Sequence, residues 1–177
     1  LARLSSYGPH MGEEAALRGW RGSGTVFFAG CNLRCQFCQN YDISQMNAGE
    51  EVEPQELATA FLELQKYGCH NINLVSPTHV AAQIITAVEI AAQNGLRLPL
   101  VYNTGGYDSL VLLQLLDGVI DIYMPDMKYA NANVALRYSK IRNYPHINQA
   151  AVHEMYRQVG DLQLDEQSVD KSLYELV

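Results

Sequence analysis

Cys31, Cys35 and Cys38 stand in the run Gly30-Cys31-Asn32-Leu33-Arg34-Cys35-Gln36-Phe37-Cys38-Gln39-Asn40, a C-x3-C-x2-C spacing. Thiolates are soft donors that suit zinc and iron–sulfur clusters. A structural zinc site takes ligand pairs spaced C-x2-4-C, with a second pair further along to close a tetrahedron. No second pair follows here. The remaining cysteine, Cys69, sits beside His70 in the apolar stretch Gly68-Cys69-His70-Asn71-Ile72-Asn73-Leu74-Val75, where a small thiol is ordinary core. A fully ligated four-iron cluster takes four cysteines. A compact run of three therefore predicts a cluster with one iron left open to an outside ligand. The rival reading is a structural zinc module in which Cys69 or His70 completes the ligand set.

Elements must hold that loop in place, and periodicity supplies them. Residues 25–29, 71–75, 98–102 and 119–124 are short runs rich in branched and aromatic side chains, bounded by turn residues, and read as four strands. Between the first two, Pro54 opens and Gly68 closes a helix whose Leu57, Ala60, Phe61, Leu64 and Tyr67 recur at helical spacing. Val80 to Asn94, ended by Gly95, and Ser109 to Asp117, ended by Gly118, repeat the device. Further helices are expected from Asn131 to about Arg142 and from Gln149 to Val159. Residues 44–53, with three acids ahead of Pro54, read as a flexible, solvated loop.

Strand and helix alternation argues for an α/β fold of parallel strands joined by right-handed crossovers, an open doubly wound sheet or part of a barrel. In such folds ligands gather at the carboxyl ends of the strands. Every polar cluster falls at one: the cysteine loop, Ser76-Pro77-Thr78-His79, Asn103-Thr104-Gly105-Gly106 and Pro125-Asp126-Met127-Lys128. Four loops converging on one face predict a single active site.

The chain has 177 residues, 48% of them hydrophobic, which is one domain's worth of core. Residues 1–177 are read as a single domain with a lead-in (1–23), a core of strand–helix units (24–160) and a divergent tail (161–177). Twelve basic against nineteen acidic side chains leave a net charge of -7, which argues against a nucleic-acid partner. No apolar run is long enough to span a membrane, and none reads as a signal peptide. Four cysteines, three of them crowded together, make a poor disulfide framework and suit a reducing cytoplasm. Leu1 in first place suggests a processed product or a fragment.

The cysteine run, with an aromatic residue before its last cysteine, resembles the signature of the radical S-adenosylmethionine (SAM) enzymes. More closely, the stretch from Ser5-Ser6-Tyr7-Gly8-Pro9-His10 through Cys38-Gln39-Asn40-Tyr41 to Val101-Tyr102-Asn103-Thr104-Gly105-Gly106-Tyr107 and Asp121-Ile122-Tyr123-Met124-Pro125-Asp126-Met127-Lys128 is similar to uncharacterised relatives of the pyruvate formate-lyase activating enzyme. The similarity covers about residues 2 to 166.

The resemblance implies a partial (β/α) barrel and a [4Fe-4S] cluster on Cys31, Cys35 and Cys38 whose open iron chelates SAM. It implies that Phe37 stacks on the adenine. It implies that Asn103 and Thr104 meet the ribose and carboxylate, and that Asp126 and Lys128 match an Asp-Xaa-Lys contacting the cofactor's polar end or the substrate backbone. Ser76 and Thr78 stand where many members carry a Gly-Gly-Glu stretch that contacts the cofactor's amino group, a departure that Thr78 or exposed carbonyls would make good. Reductive cleavage of SAM would give a 5'-deoxyadenosyl radical that abstracts hydrogen from a substrate, with a glycine of a partner glycyl radical enzyme as the implied target and a flavodoxin or ferredoxin as the implied reductant. No residue is assigned as catalytic. The family fold has six units, so this sequence is expected to be truncated after about four, with an exposed parallel edge after the fourth strand. A truncated remnant that binds a cluster without turnover is the second alternative.

Overall fold

The computed structural model describes residues 1–161. Four parallel strands form the body of the sheet: β2 (Ser23–Phe28), β4 (Ile72–Val75), β5 (Leu100–Thr104) and β6 (Ile122–Pro125). Ahead of β2 lie β1 (Ala2–His10) and a short helix α1 (Ala15–Arg18), and between β2 and β4 come α2 (Tyr41–Ser44), β3 (Glu50–Val52) and α3 (Pro54–Lys66). The spatial order is β3-β1-β2-β4-β5-β6, with β1 antiparallel to both its neighbours. The remaining helices are α4 (Ala81–Gln93), preceded by a 3-10 turn over Thr78–Val80, then α5 (Leu110–Leu116), α6 (Ala132–Ser139) and α7 (Tyr144–Val159).

The four expected parallel strands are present, each within a few residues of its sequence bounds. Two further strands correct the reading of the first third of the chain. The lead-in contains β1, which pairs with β2 from Leu4 to His10, and the loop read as flexible contains β3, which pairs with β1 over residues 50–52. The acids Glu50 and Glu51 are exposed on that short outer strand. α7 begins at Tyr144, earlier than its apolar spacing suggests, because Pro145 sits in its first turn, where no N–H is needed.

Strand alternation divides the sheet into two faces. Val26, Leu74, Tyr102 and Tyr123 are in register across β2, β4, β5 and β6, and all pack with the helices in one core. Leu57, Phe61 and Leu64 from α3, Ile84 and Ala87 from α4, Leu113 and Leu116 from α5, and Ala151 and Met155 from α7 close it. Burying each of the larger side chains stabilises by about 1.5–3 kcal/mol. The other face carries Thr25, Asn73, Val101 and Ile122, then Phe27, Val75, Asn103 and Met124 nearer the carboxyl ends. The sheet does not close: among the described residues β6 pairs with β5 alone, so the expected parallel edge is present. No helix of the described residues is long and apolar enough to cross a membrane. The divergent tail read for 161–177 lies, past Asp161, outside the described residues.

Candidate cluster and cofactor site

β2 delivers the chain through Ala29 and Gly30 into the cysteine loop. Gly30 has φ +90, and a Cβ there would lie 3.0 Å from His79 Nε2 and 3.1 Å from Asn47 Oδ1, so the entrance tolerates only glycine without strain. His79 Nε2 lies 2.8 Å from the Ala29 carbonyl, which ties the loop entrance to the turn after β4. Leu33, 1% exposed, anchors the loop against Ala135 and Tyr144. The amides on either side of Cys35 dock on the last turn of α6, Arg34 N–H donating to Ser139 O at 3.3 Å and Gln36 N–H to Tyr138 O at 2.8 Å.

Each cysteine sulfur meets a donor of its own. The Leu33 amide donates to Cys31 Sγ at 3.4 Å, the Ser139 hydroxyl to Cys35 Sγ at 2.9 Å, and Ser44 Oγ lies 3.1 Å from Cys38 Sγ. The Cys31 sulfur also lies 3.9 Å from Asn32 Oδ1, a contact that only a thiol could donate. Burial pushes the Cys31 thiol up, while the Leu33 amide and the Ser76 hydroxyl oppose the shift. Among the described residues no three His, Cys, Asp or Glu side chains are grouped to hold a single metal ion. A cluster asks for something else, because each thiolate binds a different iron. Three half-buried thiols on one loop, each facing a hydrogen-bond donor, fit such a cluster. Cys69 cannot join them: it is buried beside Gly24, at the amino end of the sheet, which leaves the zinc reading without a fourth ligand from that quarter.

The other loops gather at the same end. Ser76 adopts φ +57, unusual for a residue other than glycine, and its amide donates to Asn103 O at 2.9 Å, bringing the turn after β4 to the end of β5. Phe37 is 56% exposed and meets Tyr129 edge-on at 6.3 Å, which leaves a ring face available for stacking. Thr78 and Thr104 give their hydroxyl protons within the protein. Their hydroxyls donate at 2.7 Å to Asp108 Oδ1 and Oδ2, and Tyr102 Oη donates to Oδ1 at 3.1 Å. Asp108 is 1% exposed, and burial lifts its carboxyl above the usual range against the pull of these three donors. Sequence reasoning passed over it, since an aspartate just before a helix reads as turn chemistry.

Asp126 and Lys128 form an ion pair at the end of β6. Tyr144 and Asn148, one turn apart on α7, bind this segment to the loop after β5. Asn148 Nδ2 donates to Gly106 O at 2.9 Å and Asp126 O at 2.8 Å. Tyr144 Oη lies 2.8 Å from Gly105 O and 3.0 Å from Asp126 O, and accepts from the Lys128 amide at 3.1 Å. Burial pushes the Tyr144 hydroxyl up to about 12, so it remains a donor at neutral pH. Neither residue stood out in the sequence, although their i, i+4 spacing places them on one helix face.

A mostly parallel, open α/β sheet with a three-cysteine loop at the carboxyl end of its first parallel strand defines a partial barrel whose ligand end carries three thiols. The Radical SAM superfamily model matches residues 25–169, and the chain belongs to that superfamily. It is 35% identical over 144 residues to "Uncharacterized protein MJ0674" of Methanocaldococcus jannaschii, a match covering 76% of this chain and 40% of that protein. It is 43% identical over 42 residues to "Pyruvate formate-lyase-activating enzyme" of Clostridium pasteurianum, covering 24% of this chain and 18% of that protein. The chain thus spans less than half the length of either relative. Members of that superfamily generally bind a [4Fe-4S] cluster and SAM.

Proposed function

We propose that this chain carries the radical SAM core of an enzyme that reductively cleaves SAM, with Cys31, Cys35 and Cys38 as the cluster ligands. The observation that carries the reading is the cysteine loop itself: three thiols at the carboxyl end of β2, each with its own hydrogen-bond donor. Held by Cys31, Cys35 and Cys38, a reduced cluster would supply the electron for reductive cleavage of the carbon–sulfur bond of SAM, the source of a 5'-deoxyadenosyl radical that would abstract hydrogen from a substrate.

The chain's own part is geometric. Phe37 offers a ring face to the adenine, and Ser76, Asn103 and the Asp126–Lys128 pair offer polar groups to the cofactor's ribose and amino acid end. Thr78 and Thr104 shape the floor beneath, because their hydroxyls are held by Asp108. Holding the target C–H bond against the radical site and excluding water is what the protein contributes to rate. The short match to an activating enzyme is the support for an activase-like role; a glycine of a partner glycyl radical enzyme as the substrate and a flavodoxin or ferredoxin as the electron donor come from the family resemblance alone.

The test is anaerobic reconstitution with iron and sulfide, reduction, incubation with SAM and assay for 5'-deoxyadenosine, with Cys35→Ala as control. Cleavage that vanishes in the control supports the reading. A cluster that forms without cleaving SAM makes the chain a cluster-binding remnant, and zinc uptake without iron sinks the proposal.

A further inference from the structure

Cys35 is bound differently from the other two thiols. Its sulfur accepts from a residue far along the chain, Ser139, the last residue of α6, 2.9 Å away. Serine in a helix ordinarily turns its hydroxyl back to a carbonyl of the preceding turn. Here the hydroxyl points instead at the cysteine, and Ser139 is 0% exposed, so no water competes for it. Tyr129 Oη lies 2.6 Å from Ser139 Oγ. A thiolate sulfur can only accept, so Ser139 must give its proton to Cys35 and Tyr129 must give its own to Ser139. The result is a directed chain, Tyr129 O–H to Ser139 Oγ–H to Cys35 Sγ, rooted in the wall opposite the cysteine loop. The backbone bonds from Arg34 and Gln36 to α6 fix the loop at the distance the chain requires.

We propose that Ser139 is a positioning residue for the Cys35 ligand and that the Tyr129–Ser139 chain raises the reduction potential of the cluster. The inference rests on the reading that these cysteines hold a [4Fe-4S] cluster. Reduction adds one electron to the cluster, delivered by an external donor, and spreads negative charge onto its sulfurs. An O–H donor aimed at a ligand sulfur stabilises the reduced state more than the oxidised one, and hydrogen bonds to sulfur are among the factors that set cluster potentials. Tyr129 strengthens the effect by fixing which way the serine hydroxyl points.

The test is an anaerobic redox titration of the reconstituted protein without SAM, followed by the paramagnetic signal of the reduced cluster, with iron content measured on every sample. Ser139→Ala is expected to lower the midpoint, so that at a fixed solution potential the reduced-to-oxidised ratio falls on the order of tenfold, which is 59 mV for a one-electron couple. Tyr129→Phe should shift it the same way by less, and Ser139→Thr, which keeps the hydroxyl, should restore most of the difference. A wild-type midpoint in Ser139→Ala carrying its full iron overturns the relay and leaves the cluster reading standing. Should Ser139→Ala fail to load, Tyr129→Phe decides, and an unmoved midpoint there overturns the relay equally. Wild-type protein that takes up no iron overturns the cluster reading and the relay with it.

Discussion

Asp108 is the residue on which the site's floor turns. Three hydroxyls converge on its carboxylate within a space that excludes water. Asp108→Ala takes the acceptor from Tyr102 and leaves the Thr78 and Thr104 hydroxyls only each other, 3.2 Å apart, and each buried group left unpaired costs about 1–3 kcal/mol. Urea unfolding of the cluster-free protein should register a loss at the upper end of that range, whereas Asp108→Asn, which keeps one acceptor oxygen, should lose less. The carboxyl also links stability to pH. Because burial raises its folded pKa, the folded chain holds the proton to higher pH than the unfolded chain, whose aspartates titrate near about 3.9. Its stabilising contribution is complete below that value and is lost as pH rises through the folded pKa. The stability of wild type relative to Asp108→Asn should therefore decline as pH is raised from about 4 to neutrality. A difference that grows or stays level over that span would mean the carboxyl is not held as described.

At the scale of elements, the loops after β5 and β6 are pressed together through Gly106. It has φ +72, and a Cβ there would come 2.2 Å from Asp126 O and 2.3 Å from Asn148 Nδ2. Both are bonded parts of the α7 brace, so neither can give way. Gly106→Ala should lower the melting temperature by several degrees or more, since strain of a few kcal/mol acts on a domain of this size; a melting point unchanged within error would show the brace to be slack. The elements themselves were unequally legible. β2, β4, β5 and β6 announced themselves because strands covered by helices are dense in branched and aromatic residues. β1 did not: Ser5-Ser6-Tyr7-Gly8-Pro9-His10 has little apolar content, and it is a strand because β2 pairs with it. β3 hid in an acidic stretch for the same reason. The cysteines could be read because ligand spacing is local. Asp108, Ser139, Tyr144 and Asn148 could not, because each acts on a residue brought close only by the fold, and a serine, tyrosine or asparagine in a helix looks the same whether it braces a loop or faces water.

Across the whole molecule, the sheet runs from an acidic, three-residue outer strand, β3, through doubly paired interior strands to β6, whose far edge no described residue pairs. Asp121 N–H bonds back to Leu100 O, and the alternation that continues from it along β6 turns the Ile122 and Met124 amides away from β5. Amide exchange should be much faster at those two positions than at Leu74 or Val75 in β4, since protection follows pairing and burial. Slow exchange at Ile122 and Met124 would mean that another segment pairs with that edge. The bond from Ser139 to Cys35 has a consequence in time as well as in space. The two residues are 104 positions apart, and contacts between distant parts of a chain form late, after the entropy of closing the loop has been met. During synthesis, three thiols emerge long before the helix that grips them, and the loop takes its docked shape only once most of this domain has left the ribosome. On the proposed reading of these thiols as cluster ligands, iron delivered before then would meet a loop not yet docked, and maturation would belong after folding, with the finished wall of α6 and α7 as its mould.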